Sequence, residues 1–409
     1  MNPTRTVPEQ AIRDIQHCGE EGGVVPVIDV ASTSTFLDPA DMERAFHGEM
    51  PGCYVYSRHS NPTVNAFGKK LAAMERAPAA IGVSSGMAAI VSAIDQIFRN
   101  DARDRGASRA EGHLVSSSTV YGGTYAFFRN VLPTRGIEVS LVDTTDLSAV
   151  ERAIRPDTRV LYVETLSNPL LTVSDLRALS ALAKKRKLKL VVDNTFSPLI
   201  VRPLDLGADV VVHSCTKYVS GSSDLIAGAV VGSEEFVSSL IDVNSGSVML
   251  SGPVMDPRVA HELYLRLDHL PVRIRAHSRS AEFLASRMAE MKIPVIYPSL
   301  PSYPQRELLR SMSDPSYGFG GILTVDCGTS DRARRLATKL QDEKFGLYAV
   351  SLGFSRTLMS CSAKSTSSEI PEEEQKAMGL SEGLLRFSIG YVGDPETMWE
   401  RFVKGWKAV

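Results

Sequence analysis

Between residues 113 and 231 the chain alternates short β-branched runs with stretches of helical periodicity, and this alternation constrains the fold more than any other feature. The runs at 113–117, 138–142, 160–164, 188–193 and 209–213 have strand length, and 226–231 is a further candidate. Intervening segments such as 174–185 repeat apolar residues at helical spacing, here after the capping pair Ser174-Asp175. Strands separated by helices do not pair as hairpins. They lie parallel, with helices over both faces of the sheet. Such α/β sheets bind ligands at the carboxyl ends of their strands. Asp193, Ser214, Thr216 and Lys217 all stand at such ends.

The flanking segments differ in character. Residues up to about Asn61 are rich in Pro, Gly, Ser and Thr and read as an extended arm that packs on something else. Helical patterns follow at 64–76 and, after Ser84-Ser85-Gly86, at 87–97. From Asp256 to about Met291 a long helix connects to a smaller α+β domain with strands at 321–325 and 385–389. Between these strands, 361–377 is rich in Ser, Thr, Glu and Lys and reads as a surface loop. The expected division is a 1–62 arm contacting a neighbouring subunit, a 63–258 α/β domain and a 259–409 α+β domain. A chain of 409 residues, 43% hydrophobic, is long enough for two cores.

The formal net charge of -2 argues against a nucleic-acid partner. The basic run at 184–189 fits a helix C-terminus, where cations suit the dipole. The five cysteines are scattered without metal-ligand spacing, and the eight histidines show none either, so no metal is expected. Unpaired thiols, an N-terminus unlike a signal or transit peptide and the absence of a bilayer-length apolar run point to a cytoplasmic protein without a membrane partner.

In Val210-Val211-Val212-His213-Ser214-Cys215-Thr216-Lys217, an apolar strand ends in small hydroxyl residues and presents one amine. A lysine lowered in pKa by such surroundings can form a Schiff base. The cofactor that joins a phosphate to an aldehyde is pyridoxal phosphate (PLP). It needs a lysine, an acid on its pyridine nitrogen, a phosphate cradle and a group stacked on its ring. Asp193, closing the strand Leu188-Lys189-Leu190-Val191-Val192, is the candidate acid. Ser85, Gly86 and Met87 open a helix whose N–H groups suit a phosphate, and Ser214 and Thr216 add hydroxyls. Tyr121, before Gly122-Gly123, can lie flat on a ring. Singly, each has an ordinary reading as a helix cap, a turn residue or a solvated strand end.

Together, four segments resemble the Cys/Met-metabolism PLP enzymes, a family that includes cystathionine γ-synthase, cystathionine lyases, O-acetylhomoserine sulfhydrylase and methionine γ-lyase. They are Tyr56-Ser57-Arg58-His59-Ser60-Asn61-Pro62-Thr63, Ser84-Ser85-Gly86-Met87-Ala88-Ala89, Val192-Asp193-Asn194-Thr195-Phe196 and His213-Ser214-Cys215-Thr216-Lys217-Tyr218. The resemblance implies the aspartate aminotransferase-like fold of type I PLP-dependent transferases and a homo-oligomer, a tetramer of two active dimers. It implies that Lys217 carries PLP and moves protons and that Asp193 pairs with the pyridine nitrogen; in the expected mechanism the stacked Tyr121 protonates the leaving thiolate. By the same resemblance Ser85, Gly86, Met87, Ser214 and Thr216 hold the phosphate, joined by Tyr56 and Arg58 from the neighbouring subunit. Asn168 lies near the phenolic oxygen, and Arg386, beside Ser351, clamps the substrate carboxylate with its planar fork.

Within the family, the run from Gly246 to Pro257 and the C-terminal run containing Ser360-Cys361-Ser362 and Ser365-Thr366-Ser367-Ser368-Glu369 are similar to plant-type methionine γ-lyases. Val350 stands where cystathionine-cleaving lyases carry a Glu, which favours a substrate without a distal charged head. Gly123 replaces a Cys of the bacterial methionine γ-lyases, and Met359-Ser360-Cys361 replaces the usual Met-Thr-His. The expected reaction is γ-elimination on L-methionine, giving methanethiol, 2-oxobutanoate and ammonia. The alternatives are γ-replacement on O-acetyl- or O-succinylhomoserine, and cystathionine γ-lysis. Nearby cations, including Arg58 and Lys217, are expected to lower the Tyr121 phenol's pKa.

Overall fold

The computed structural model describes residues 8–15, 23–362 and 369–409, except the side chain of Ala377. Cys18 and the run 365–368 lie outside the described residues. The expected βα alternation is the frame of the molecule. A seven-stranded sheet has the order β1-β7-β6-β5-β4-β2-β3. Its strands are β1 (Ala79–Val83), β2 (Gly112–Ser117), β3 (Ile137–Val142), β4 (Thr158–Glu164), β5 (Lys189–Asp193), β6 (Val210–His213) and β7 (Gly228–Gly232). The block β6-β5-β4-β2-β3 is parallel throughout. β7 runs antiparallel to both β6 and β1. The architecture is α/β with a mostly parallel central sheet and a smaller C-terminal domain.

Each face of this sheet has its own core. Leu161, Val163, Leu190, Val192 and Val211 pack with Phe67 and Leu71 of the helix Pro62–Glu75. Val160, Tyr162, Val191, Val210 and Val212 face the other way, with Ile90, Ile94 and Phe98 of the helix Gly86–Asp104. Alternation along every central strand explains the division, since neighbouring side chains point to opposite faces. Full burial of a Val, Leu, Ile or Phe side chain contributes about 1.5–3 kcal/mol.

Asp256 caps the 34-residue helix Pro257–Glu290, which leads to a second sheet ordered β10-β11-β12-β9-β8. Its strands are β8 (Val295–Ile296), β9 (Ile322–Asp326), β10 (Leu347–Tyr348), β11 (Leu358–Cys361) and β12 (Leu384–Ser388). Phe387 and Phe345 there pack on Phe402, which stacks between Trp399 and Trp406 of the C-terminal helix. The basic run does end a helix, Leu176–Arg186, with Lys185 and Arg186 paired to Glu151.

Three expectations change. β1 carries no β-branched run, only Ala-Ala-Ile-Gly-Val, and tertiary pairing with β7 makes it a strand. The candidate at 226–231 begins two residues later, and Ile226 remains exposed outside it. The 361–377 stretch is not a surface loop in its described parts. Cys361 ends a buried strand, Ile370 is buried, and Glu372–Ala377 is a helix. Glu374 there accepts a hydrogen bond from Tyr125, tying the segment to the larger core.

Candidate active site

The carboxyl ends of β4, β5 and β6 open on a cavity of about 300 Å³. Twelve of the residues expected at the site line it together. Ser85, Gly86 and Met87 come from the start of the helix Gly86–Asp104, and Tyr121 and Asn168 from loops after β2 and β4. Asp193, Ser214, Thr216 and Lys217 come from the ends of β5 and β6. Val350, Ser351 and Arg386 arrive from the smaller domain. Tyr56 and Arg58 are not brought to this cavity. Arg58 donates to the Met249 carbonyl at 2.8 Å and lies over the half-exposed ring of Tyr56.

The helix start is shaped to cradle an anion. Ser85 caps the helix through the N–H of Ala88 at 3.0 Å, and the first N–H groups of a helix have no intrahelical partner. Ser214, anchored by its own N–H to the Thr195 hydroxyl at 2.8 Å, packs closely on the turn. A Cβ at Gly86 would lie 2.6 Å from the Ser214 Cβ, and a Cβ at Gly228 would lie 2.0 Å from the Ser85 carbonyl. Only glycine lets helix start and strand ends meet so closely.

Lys217 Nζ donates to Ser351 Oγ at 2.9 Å. Burial, reinforced by the Arg386 charge, pushes its pKa down to about 8. Arg386 is buried and donates to Asn168 Oδ1 and to the Ser351 carbonyl, each at 2.9 Å. Both described partners are uncharged, and its buried Nε has none. Burial holds its pKa down at about 10. A carboxylate is the complement such a buried guanidinium lacks. Ser351 has φ of +82°, unusual for a residue with a side chain, and the bonds to Lys217 and Arg386 hold it there.

Asp193 accepts from the N–H of Thr195 at 2.9 Å and from the Tyr162 hydroxyl at 3.4 Å. Burial raises its pKa, opposed by the Thr195 bonds and the charge of His213. Glu164 stands opposite Asp193 in the β4–β5 register and lines the same cavity. Burial first, then Asp193, drives the Glu164 carboxyl well above its ordinary range. The N–H groups of Tyr121 and Asn168, bonded to its two oxygens, oppose that rise. The Tyr121 phenol moves opposite to expectation. Burial raises its pKa, Glu369 reinforces this, and Arg386 is the cation that opposes it. It is therefore a proton donor at neutral pH. A Cβ at Gly123 would lie 2.6 Å from Tyr121 Cε1, so Gly123 lets the ring lean where it does.

Glu164, Thr195, Phe196 and Ile226 also line the cavity and were not expected there. A signal existed for Glu164: like Asp193, it is an acid closing an apolar strand. A larger cleft of about 700 Å³ lies near the N-terminus, but its Lys70 is paired with Asp268 at 2.7 Å and its Arg275 with Glu9. Among the described residues no group of three or more His, Cys, Asp or Glu is placed to hold a metal, and no helix is long and apolar enough to cross a membrane. The cradle, the depressed lysine, the strand-end aspartate and the unmatched guanidinium fit PLP together with an amino-acid carboxylate.

Known proteins agree with this fit. Methionine gamma-lyase of Arabidopsis thaliana is 46% identical over 404 residues, 97% of this chain and 89% of that protein. L-methionine gamma-lyase of Porphyromonas gingivalis is 38% identical over 369 residues, 88% of each chain. A crystal structure of a putative O-acetylhomoserine (thiol)-lyase from Campylobacter jejuni, holding N'-pyridoxyl-lysine-5'-monophosphate, superposes with a TM-score of 0.89 at 27% identity. It covers 98% of this chain and 100% of its own. The profile of the Cys/Met metabolism PLP-dependent enzymes matches residues 1–396, and the chain belongs to that family.

Proposed function

We propose that this PLP-dependent enzyme is a carbon–sulfur lyase that performs γ-elimination on L-methionine. With one water, methionine yields methanethiol, 2-oxobutanoate and ammonia. The observation that carries the substrate class is the buried Arg386, whose described partners leave its charge uncompensated. Val350 and Ile226, both exposed apolar residues at the cavity, suit a methyl thioether rather than a charged distal head.

When bound, PLP supplies an aldehyde for the substrate amine and a protonated ring that withdraws electrons from the substrate carbons. In this reading the helix start at Ser85, Gly86 and Met87, with Ser214 and Thr216, holds the phosphate. Asp193, supported by Thr195 and Tyr162, would pair with the pyridine nitrogen and favour its protonated form. Tyr121 would stack on the ring, and Asn168 would stand near its phenolic oxygen.

Arg386 binds the substrate carboxylate, with Asn168 and Ser351 fixing its fork. Lys217 Nζ takes the proton from the substrate α-carbon, and Ser351 Oγ orients that amine. With a pKa near 8, the amine is partly neutral at physiological pH and able to accept. Only after giving that first proton up to the bound cofactor would the same Nζ, neutral again, take a β-proton. Tyr121, whose phenol partial burial shifts further toward the protonated form, gives its phenolic proton to the departing thiolate sulfur.

We place the enzyme in a homo-oligomer, a tetramer of two active dimers. Val24, Val27 and Leu37 of the arm are exposed and apolar, and Tyr56 and Arg58 do not line this chain's own cavity, as residues completing a neighbour's site would not. The free thiols Cys53, Cys215, Cys327 and Cys361 suit a reducing compartment such as the cytoplasm.

The deciding assay compares 2-oxobutanoate formed from L-methionine with the thiol product formed, together with acetate, from O-acetylhomoserine and sulfide. The account expects methionine to give the larger kcat/KM. Faster γ-replacement, with methionine barely turned over, would replace it with a transferase.

A further inference from the structure

We propose that Glu164 is a positioning residue of the active site: one carboxyl group fixes Tyr121 and Asn168 as a single unit on either side of the cofactor. This rests on the reading of the cavity as the PLP site. Glu164 closes β4 and is buried at 7% exposure. Its Oε1 accepts the N–H of Tyr121 at 2.7 Å, and its Oε2 accepts the N–H of Asn168 at 3.2 Å. Tyr121 follows β2, whereas Asn168 follows β4 itself, so one side chain joins two crossover segments. From Asn168 the hydrogen bonds continue without a break. Asn168 Oδ1 accepts from Arg386, Arg386 donates to the Ser351 carbonyl, and Lys217 donates to Ser351 Oγ. The path therefore runs from the stacking phenol to the Schiff-base amine and crosses between the two sheets.

The chemistry explains why an acid is tolerated there. Two backbone N–H groups converge on the site, and a carboxyl group offers two acceptor oxygens. A glutamine offers one acceptor and two donors, so it would turn its NH₂ toward one of those N–H groups. A carboxyl beside Asp193 is costly to bury, and a residue needed only for packing would be apolar. The described hydrogen bonds of Glu164 go to Tyr121 and Asn168, not to the cradle or the lysine. Glu164 acts through the groups it holds.

The test uses Glu164→Gln and Glu164→Asp in the PLP-loaded enzyme. For Glu164→Gln we expect kcat on methionine to fall about 100-fold, with KM within about threefold, because the stacking phenol and the Asn168 oxygen shift together. The visible circular dichroism of the bound cofactor should change while its absorbance shows full occupancy. Glu164→Asp, which keeps two acceptors on a shorter arm, should recover part of both. A folded Glu164→Gln enzyme with unchanged kcat and unchanged dichroism overturns the proposal, whatever its unfolding temperature. Should the variants not fold, hydrogen exchange in the wild type decides. Slow exchange at the Tyr121 and Asn168 amides supports the clamp, and exchange as fast as an unbonded surface amide overturns it. Loss of the cofactor reading is seen separately, as a wild-type protein with no visible absorbance.

Discussion

At the ends of β4, β5 and β6, consecutive residues face opposite sides of one sheet and carry two kinds of polarity. Toward the cavity stand Glu164 and Asp193, joined there by Lys217, Arg386 and Tyr121. Behind them stand Thr165, Asn194 and His213, closed against Glu75 at the end of the helix Pro62–Glu75. His213 Nε2 meets Glu75 Oε1 at 2.8 Å. Asn194 Nδ2 donates to Glu75 Oε1 at 3.3 Å and to the Val201 carbonyl at 2.8 Å, and the Thr165 hydroxyl donates to Asn194 Oδ1 at 2.9 Å. The rear charges and amides face one another, although Glu75 Oε2 and His213 Nδ1 are buried without a described hydrogen-bond partner. The cavity groups keep a depressed amine, a guanidinium without a counter-charge and an anion cradle. The lesson is that buried polarity alone does not mark a site; polarity left uncompensated around a cavity does.

If this contrast is right, changes at the cavity should cost activity and changes behind it should cost stability. Lys217→Ala should lower 2-oxobutanoate production from methionine about 10⁴-fold with little change in unfolding temperature. A variant with normal turnover would break the comparison at its strongest point. Arg386→Lys keeps the charge but loses the fork. It should cost roughly 10- to 100-fold in kcat/KM, the worth of about 1.5–3 kcal/mol for a hydrogen bond to a charged group. Val350→Glu should shift preference about tenfold toward a substrate with a distal ammonium, read as the ratio of kcat/KM for cystathionine and methionine. Glu75→Leu reverses the pattern. It leaves His213 buried without its partner, so denaturant unfolding should show a loss of about 3 kcal/mol, with kcat of the folded fraction within about twofold.

The lysine also gives a pH signature. In cofactor-free protein, Lys217 should react with an aldehyde or acylating probe along a curve centred near pH 8, against an ordinary value of 10.5. The sign for stability follows. Between those values the unfolded chain binds the proton and the folded chain does not, so this lysine's contribution to stability rises with pH across that window. Below about 8 both states are protonated, and the cost of the buried charge is present in full. A reactivity midpoint at the ordinary value would mean that the amine is not desolvated.

The sequence carried the cavity side further than the rear. Asp193, Ser214 and Lys217 end apolar runs, and polar residues at strand ends are legible from periodicity. Arg386 was legible only through family resemblance, because nothing local in Leu384-Leu385-Arg386-Phe387 tells a buried guanidinium from an edge-strand arginine. The Glu75–His213 pair spans 138 residues and leaves no short-range mark. β1 was missed because its Ala and Gly residues are poor strand formers that packing overrides. The 361–377 segment reads as polar, yet Ile370 and Gln375 turn inward, a property set by what the segment packs on. The raised pKa of Tyr121 depends on burial and on Glu369, both invisible along the chain.

The account rests on Lys217 being the group that meets the cofactor at the centre of the cavity face. Borohydride reduction of the PLP-loaded enzyme, followed by peptide mass spectrometry, tests this directly. The phosphopyridoxyl mass should appear on the peptide containing Lys217, together with loss of the visible absorbance. A label on any other lysine, or none on a protein that retains methionine-cleaving activity, would contradict it.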